Sequence, residues 1–175
     1  MPLIRNAEQV EDRYVRILDD APLPDEGAIL IPAARFLADA GDILGRTGPT
    51  GVIWPNNRDI AGLAPYLDRL SLVALVFPAF KDGRAYSQAR TLRERYHFRG
   101  ELRATGDVLR DQFLFLHRAG FDAFEVKKPA DAQAFCHALQ RYNVFYQPAA
   151  DGAVSALRRR LNHGSTQRHI VAELA

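Results

Sequence analysis

Apolar residues along the chain follow two rhythms, short unbroken runs and positions recurring every three to four residues. The runs are Ala28–Ile31 before Pro32, Val52–Trp54 before Pro55, Leu72–Phe77 before Pro78 and Ala123–Val126 before Lys127. Each has strand length and ends at a proline or polar turn, as expected of strands covered on both faces. A fifth segment, Glu101–Thr105, alternates instead, with Glu101, Arg103 and Thr105 on one face and Leu102 and Ala104 on the other. Helical spacing links Ala85, Ala89, Leu92 and Tyr96, and again Leu109, Phe113 and Leu116, where Asp107 suits an N-cap and Gly120 the C′ position. Phe135, Leu139 and Tyr142 mark a helix after Pro129, and 60–70 predicts one that Pro65 splits or restarts.

Strands alternating with helices pair in parallel, because a helix-length crossover returns the chain to the same end of the sheet. The pattern therefore predicts an α/β fold of repeated βα units around a mainly parallel sheet. Two forms stay open, a partial (β/α)-barrel-like sheet and an open doubly wound one. A complete eight-unit barrel takes about 250 residues, more than the 175 present. A single α/β domain over 1–175 is expected, with an irregular N-terminal arm at 1–26 and a basic C-terminal tail at 151–175 that carries Arg158–Arg160. In both forms ligands bind at the carboxyl edge of the sheet, so the loops after Phe77, Thr105 and Val126 are where chemistry is expected. An array that does not close leaves an edge or face that a second copy could cover, which brings a homo-oligomer into the expectation.

Composition narrows this picture mainly by exclusion. With 47% hydrophobic and 25% charged residues and a net charge of +2, the chain is globular and lacks the basic excess of a nucleic-acid binder. The lone Cys136 allows no internal disulfide and no Cys-based zinc or iron–sulfur site from this chain by itself, which fits a reducing cytoplasm. No run reaches the roughly 18 apolar residues of a membrane span, and the N-terminal stretch lacks a signal-peptide core, so a cytoplasmic protein without membrane attachment is expected. The five histidines show no metal-binding spacing, and neither GxGxxG nor GxxxxGK[ST] occurs. The motifs thus leave any cofactor unknown. Cys136 and His137, adjacent on a helix, point about 100° apart, unlike a nucleophile facing its base.

Candidate chemistry collects at the strand-to-helix turns. Lys81, Asp82, Gly83 and Arg84 open a helix after a buried strand, where backbone N–H groups and two cations suit a small oxyanion. The structural alternative is a cap, a turn and two solvated side chains. One unit later come Gly106, Asp107 and Arg110: Asp107 is the candidate catalytic residue, as proton acceptor or orienting group, while Gly106 allows close approach to the backbone and Arg110 adds charge. Capping is the alternative for Asp107. Arg103, with Glu101 and Thr105, either faces a site shared with Glu125 or forms ion pairs at a sheet edge. Lys127 and Lys128 extend the same edge, and Trp54–Arg58 brings amides to it.

The stretch from Phe77 to Glu125, with FPAFKDGR, LRERY, GELRA, GDVLRDQ and GFDAFE in order, resembles a bacterial family of unknown function commonly labelled an oxidoreductase of sulfite reduction. The resemblance implies a cytoplasmic role in assimilatory sulfate reduction and cysteine biosynthesis, with sulfite reductase or related reductases as partners. It brings no set of catalytic residues. Two functions follow as expectations: an accessory protein that binds the sulfite reduction machinery or a small oxyanion, and an enzyme acting on an oxyanion-bearing metabolite at the carboxyl edge.

Overall fold

A computed structural model describes residues 2–6, 8–19, 21–141, 144–150 and 152–161. Tyr142, His163, His169 and most of the basic tail lie outside the described residues, as do the side chains of Phe135, Cys136 and Leu139. Among the described residues eight strands form one sheet: β1 (Leu3–Arg5), β2 (Glu8–Val10), β3 (Val15–Arg16), β4 (Ile29–Pro32), β5 (Thr50–Trp54), β6 (Leu72–Phe77), β7 (Glu101–Gly106) and β8 (Ala123–Glu125). Their order is β2-β1-β8-β7-β6-β5-β4-β3. From β3 to β8 neighbours are parallel and in chain order, while β1 runs antiparallel to both β2 and β8. With no reversal of order, the sheet lacks the switch point of a doubly wound fold and is instead a curled half-barrel.

The α/β class and the mostly parallel sheet match the sequence pattern, but the connections are not copies of one βα unit. Two short helices, α1 (Ala33–Ala38) and α2 (Ala40–Gly45), join β4 to β5. A 3-10 helix, Ile60–Arg69, joins β5 to β6. Next come α3 (Arg84–Arg90), continued by a π-helical turn at Thr91–Arg95, and a 3-10 turn at Arg110–Gln112 leading into α4 (Phe113–Arg118); α5 (Pro129–Arg141) follows β8. Pro65 does not split its helix; the segment runs through it as 3-10 turns, capped by Asp59, whose Oδ1 accepts from the Ala61 N–H at 2.9 Å. Gly120 is the C′ residue expected, at φ 101°, with its N–H on the His117 carbonyl and the Phe121 N–H on that of Leu116.

The helices share one face of the sheet. Phe36, Ile43, Leu63, Ala85, Ala89, Leu92, Phe113 and Leu116 form a single core with Ile31, Val52, Val73, Leu75, Leu102 and Phe124, one residue in two along each strand. The opposite face is concave and polar on one side. There the N-terminal arm, unpatterned in sequence, supplies three strands and crosses the open side, because β2 and β3 are the two edges of the sheet yet only residues 11–14 separate them. Seven gaps in a flat sheet span about 34 Å, whereas five residue steps reach at most about 18 Å. The sheet must curl for this strap to fit.

Arg103 fastens the strap. It has no exposed surface, and its neighbours in the same row, Ala74 and Ala123, leave room for its length. The guanidinium donates to Asp12 Oδ2 at 2.6 Å and Oδ1 at 3.1 Å, to Glu101 Oε1 at 2.9 Å and to Glu125 Oε1 at 3.3 Å. Glu125 also accepts from Thr105 Oγ1 at 2.6 Å and from Arg16 of β3 at 2.5 Å, and Glu101 pairs with Arg5. Tyr14 lies over Arg103, 5.5 Å from ring centre to guanidinium carbon, and its hydroxyl donates to Ser71 Oγ at 3.1 Å. Three arginines thus meet three carboxylates inside the curl. The edge position expected as one reading of β7 does not hold, because β7 is paired on both sides, with β6 and β8; the contact of its polar face with Glu125 is present and takes the form of ion pairing.

Burial raises the Asp12 carboxyl, but the hydrogen bonds from Arg103 and from the Tyr14 N–H, with the charges of Arg103 and Arg16, outweigh it and hold Asp12 below the usual carboxylate range. A depressed folded-state value stabilises the fold above the unfolded value, about 3.9, and that stabilisation disappears as pH falls through the folded value. Urea unfolding should therefore show wild type more stable than Asp12→Asn by a constant margin at pH 6–7, and the margin should shrink below about pH 4. A margin independent of pH would contradict the ion pair.

Candidate functional site

The carboxyl edge is shaped by one close approach between strands. Gly106 ends β7 at φ 94°, and a Cβ there would stand 2.4 Å from the Phe77 carbonyl oxygen, which instead accepts the Asp107 N–H at 2.7 Å. Asp107 is thereby held at the strand end. It does not cap the following helical segment, which begins at Arg110 with Leu109 in the N-cap position. Its carboxylate ties three loops together instead: Oδ2 accepts from the Phe80 N–H at 3.1 Å and Oδ1 from Lys127 Nζ at 2.6 Å. Gln112 adds to the lacing, donating to the Phe80 carbonyl and accepting from the Leu109 N–H, both at 3.1 Å. The Lys127 ammonium and the Phe80 N–H keep the Asp107 carboxyl below its ordinary value. An ionised carboxylate bonded through each oxygen to a different loop has the geometry of a clamp.

In the loop before α3, Asp82 turns on Arg84. Its Oδ1 accepts from Arg84 Nε at 2.9 Å and Oδ2 from Nη2 at 2.6 Å, and Oδ1 also faces the Arg84 N–H at 3.3 Å. The Arg84 hydrogen bonds, helped by Asn56, hold the Asp82 carboxyl far below its usual range. An internal carboxylate therefore occupies the place where the sequence puts an external anion. Gly83, at φ −81°, precedes the helix in a conformation open to any residue. Lys81 and Arg110 are exposed and have no side-chain hydrogen bond or ion pair among the described residues. The Phe80 bonds bring the loops of Lys81 and Asp107 together, while Arg103 stands apart from both in the closed interior.

Two groups of residues escape the sequence pattern. Asp12 and Tyr14 sit in the arm, where no periodicity marks them. Gln88 follows Ala85 by three residues, on the buried face of α3. A glutamine on an apolar face was the visible signal. Its side chain donates to the Arg58 carbonyl at 2.9 Å and to that of Pro55 at 3.3 Å, fixing the loop that leaves β5.

Among the described residues no group of three or more His, Cys, Asp or Glu could hold a metal ion, and no helix is long and apolar enough to cross a membrane. The fold and its edge define an α/β half-barrel with a polar, cation-bearing carboxyl rim. Residues 51–157, from β5 through the whole rim, match the family model described as a bacterial protein of unknown function, DUF934, and the chain belongs to that family. No curated protein matches it. If the approach at Gly106 sets the rim, Gly106→Ala should lower stability by roughly 1–3 kcal/mol or more, from the left-handed backbone and the contact with the Phe77 carbonyl. Thermal unfolding measures this, and an unchanged midpoint would mean the rim has another support.

Proposed function

We propose that this protein is an accessory component of assimilatory sulfite reduction that binds a small oxyanion at the carboxyl rim and engages sulfite reductase or a related reductase. The supporting observation is the charge of the rim: Arg58, Lys81, Arg84, Arg110, Lys127 and Lys128 outnumber Asp59, Asp82, Asp107 and Asp111. Two of those carboxylates are already matched, Asp82 by Arg84 and Asp107 by Lys127. Arg58, Lys81, Arg110 and Lys128 remain exposed without a carboxylate partner among the described residues. Uncompensated cations at the ligand-binding edge of a parallel sheet favour an anionic ligand. The pathway rests on the likeness of Phe77–Glu125 to the family labelled for sulfite reduction. The engaged carboxylate of Asp107 favours binding over proton-transfer catalysis as the task of the rim.

Titration calorimetry with sulfite, sulfate and phosphate at constant ionic strength tests the ligand. At least one should bind saturably, and a variant with the four unmatched rim cations Arg58, Lys81, Arg110 and Lys128 all replaced by Ala should bind it about tenfold more weakly or worse. Absence of saturable binding by all three would remove the oxyanion reading. Growth of a deletion strain on sulfate tests the pathway: failure to grow, restored by cysteine and by the wild-type gene, is the expected result. Normal growth would detach the protein from sulfite reduction.

A further inference from the structure

Beside the rim cations, the loop 55–60 and α3 border a solvent-open cavity of about 330 Å³ whose walls include Asn56, Arg58, Asp59, Arg84, Ser87 and Gln88. Two of these side chains are more than nine-tenths buried, Asn56 at 7% and Gln88 at 8% exposed, and each keeps a buried polar atom without a hydrogen-bond partner, Asn56 Nδ2 and Gln88 Oε1. Buried polar atoms are nearly always satisfied, and an orphan costs about 1–3 kcal/mol. Their orientation is set by their surroundings. Gln88 Nε2 donates to two main-chain carbonyls, of Pro55 and Arg58, so the oxygen left over can only be an acceptor. The Asn56 amide turns its NH2 group toward the ionised Asp82 and helps lower that carboxyl, and the second of its two N–H donors is left without a partner.

The charges around the cavity are equally specific. Arg84 is matched by Asp82. Asp59 Oδ1 accepts from the Ala61 N–H at the start of the 3-10 helix, and its carboxylate is the acidic group on the cavity wall. Arg58 has no carboxylate partner among the described residues; its guanidinium lies 5.7 Å from the centre of the Trp54 ring, and its carbonyl accepts the Trp54 indole N–H at 3.2 Å. The cavity therefore presents a cation and an amide donor together with one fixed acceptor. A ligand must bring anionic oxygens to Arg58 and Asn56 and an O–H to Gln88. An oxyanion that still carries a proton satisfies all three, whereas an unprotonated oxyanion of the same shape sets a bare oxygen against Gln88 Oε1.

We propose that the cavity formed by Asn56, Arg58 and Gln88 is the oxyanion site of the rim and that it selects a protonated oxyanion over a fully deprotonated one. This rests on the oxyanion reading above and assigns its ligand and residues. Phosphate and sulfate are the discriminating probes, being alike in size and shape, with phosphate carrying at least one proton at neutral pH and sulfate none. The full chain is titrated with each at constant ionic strength, followed by calorimetry and by the side-chain NH2 signals of Asn56 and Gln88 in nitrogen–proton spectra. Phosphate should bind at least about tenfold more tightly than sulfate and should shift both side-chain signals. Arg58→Ala, at an exposed position, should lower phosphate affinity about tenfold or more with the folded spectrum retained, and Gln88→Met should narrow the preference for phosphate. If Gln88→Met does not fold, the wild-type ratio and the Arg58 variant still decide. Equal binding of the two anions, or binding that depends on Lys81 and Arg110 and not on Arg58, overturns this assignment and leaves the oxyanion reading standing. Binding of neither anion, with sulfite also inert, overturns both.

Discussion

Inside the curl a guanidinium with no exposed surface is shared by Asp12 of the strap, Glu101 of its own strand and Glu125 of the next strand. A charge so placed cannot stand alone, because removing its partners would leave it desolvated at a cost of about 3–5 kcal/mol. Strap and sheet therefore form together. Arg16 of β3 reaching Glu125 of β8 shows how far the sheet has bent, since four strands lie between them in the sheet order. The ionic interior also resists slippage: a one-residue shift of β7 would move Arg103 into the apolar layer beneath the helices and leave Glu125 facing Leu102 or Ala104.

The same closure gives the rim its form. With the concave face filled by the strap and its ion pairs, the loops at the carboxyl edge form a separate polar surface. There Gly106 lets β7 lie against Phe77, and Asp107 joins the loops of Phe80 and Lys127. The carboxylates in these loops stabilise the protein's own cations Arg84 and Lys127, and Arg58, Lys81, Arg110 and Lys128 are left without a carboxylate partner among the described residues. Arg58 stands among these, next to two buried amides with unspent hydrogen-bonding groups.

How much of this was legible in the sequence depends on the range of the interactions. β6 reads directly from Leu72–Phe77 because a central parallel strand is apolar on both faces, and the Gly120 helix end follows from purely local geometry. The alternation at Glu101, Arg103 and Thr105 signalled a polar face, but its principal partner, Asp12, is 91 residues away from Arg103 in a segment with no pattern of its own. Strands β1, β2 and β3, of two or three residues, are defined by what they pair with and so carry no period to detect. At the rim, sequence placed several cations at the carboxyl ends of the strands, where the structure has them. It could not show that Asp82 and Asp107 would turn inward on Arg84 and Lys127, because capping, ion pairing and ligand binding use the same residue types. Gln88 was visible only as a polar residue on an apolar helical face.

The dependence of the fold on the strap is tested most directly by a double-mutant cycle between Asp12→Asn and Arg103→Met, with unfolding free energies measured in urea at neutral pH. Residues sharing one buried ion-pair network should be non-additive, with a coupling of about 1–3 kcal/mol. Additivity within about 0.5 kcal/mol would contradict the claim that Arg103 fastens the arm across the half-barrel.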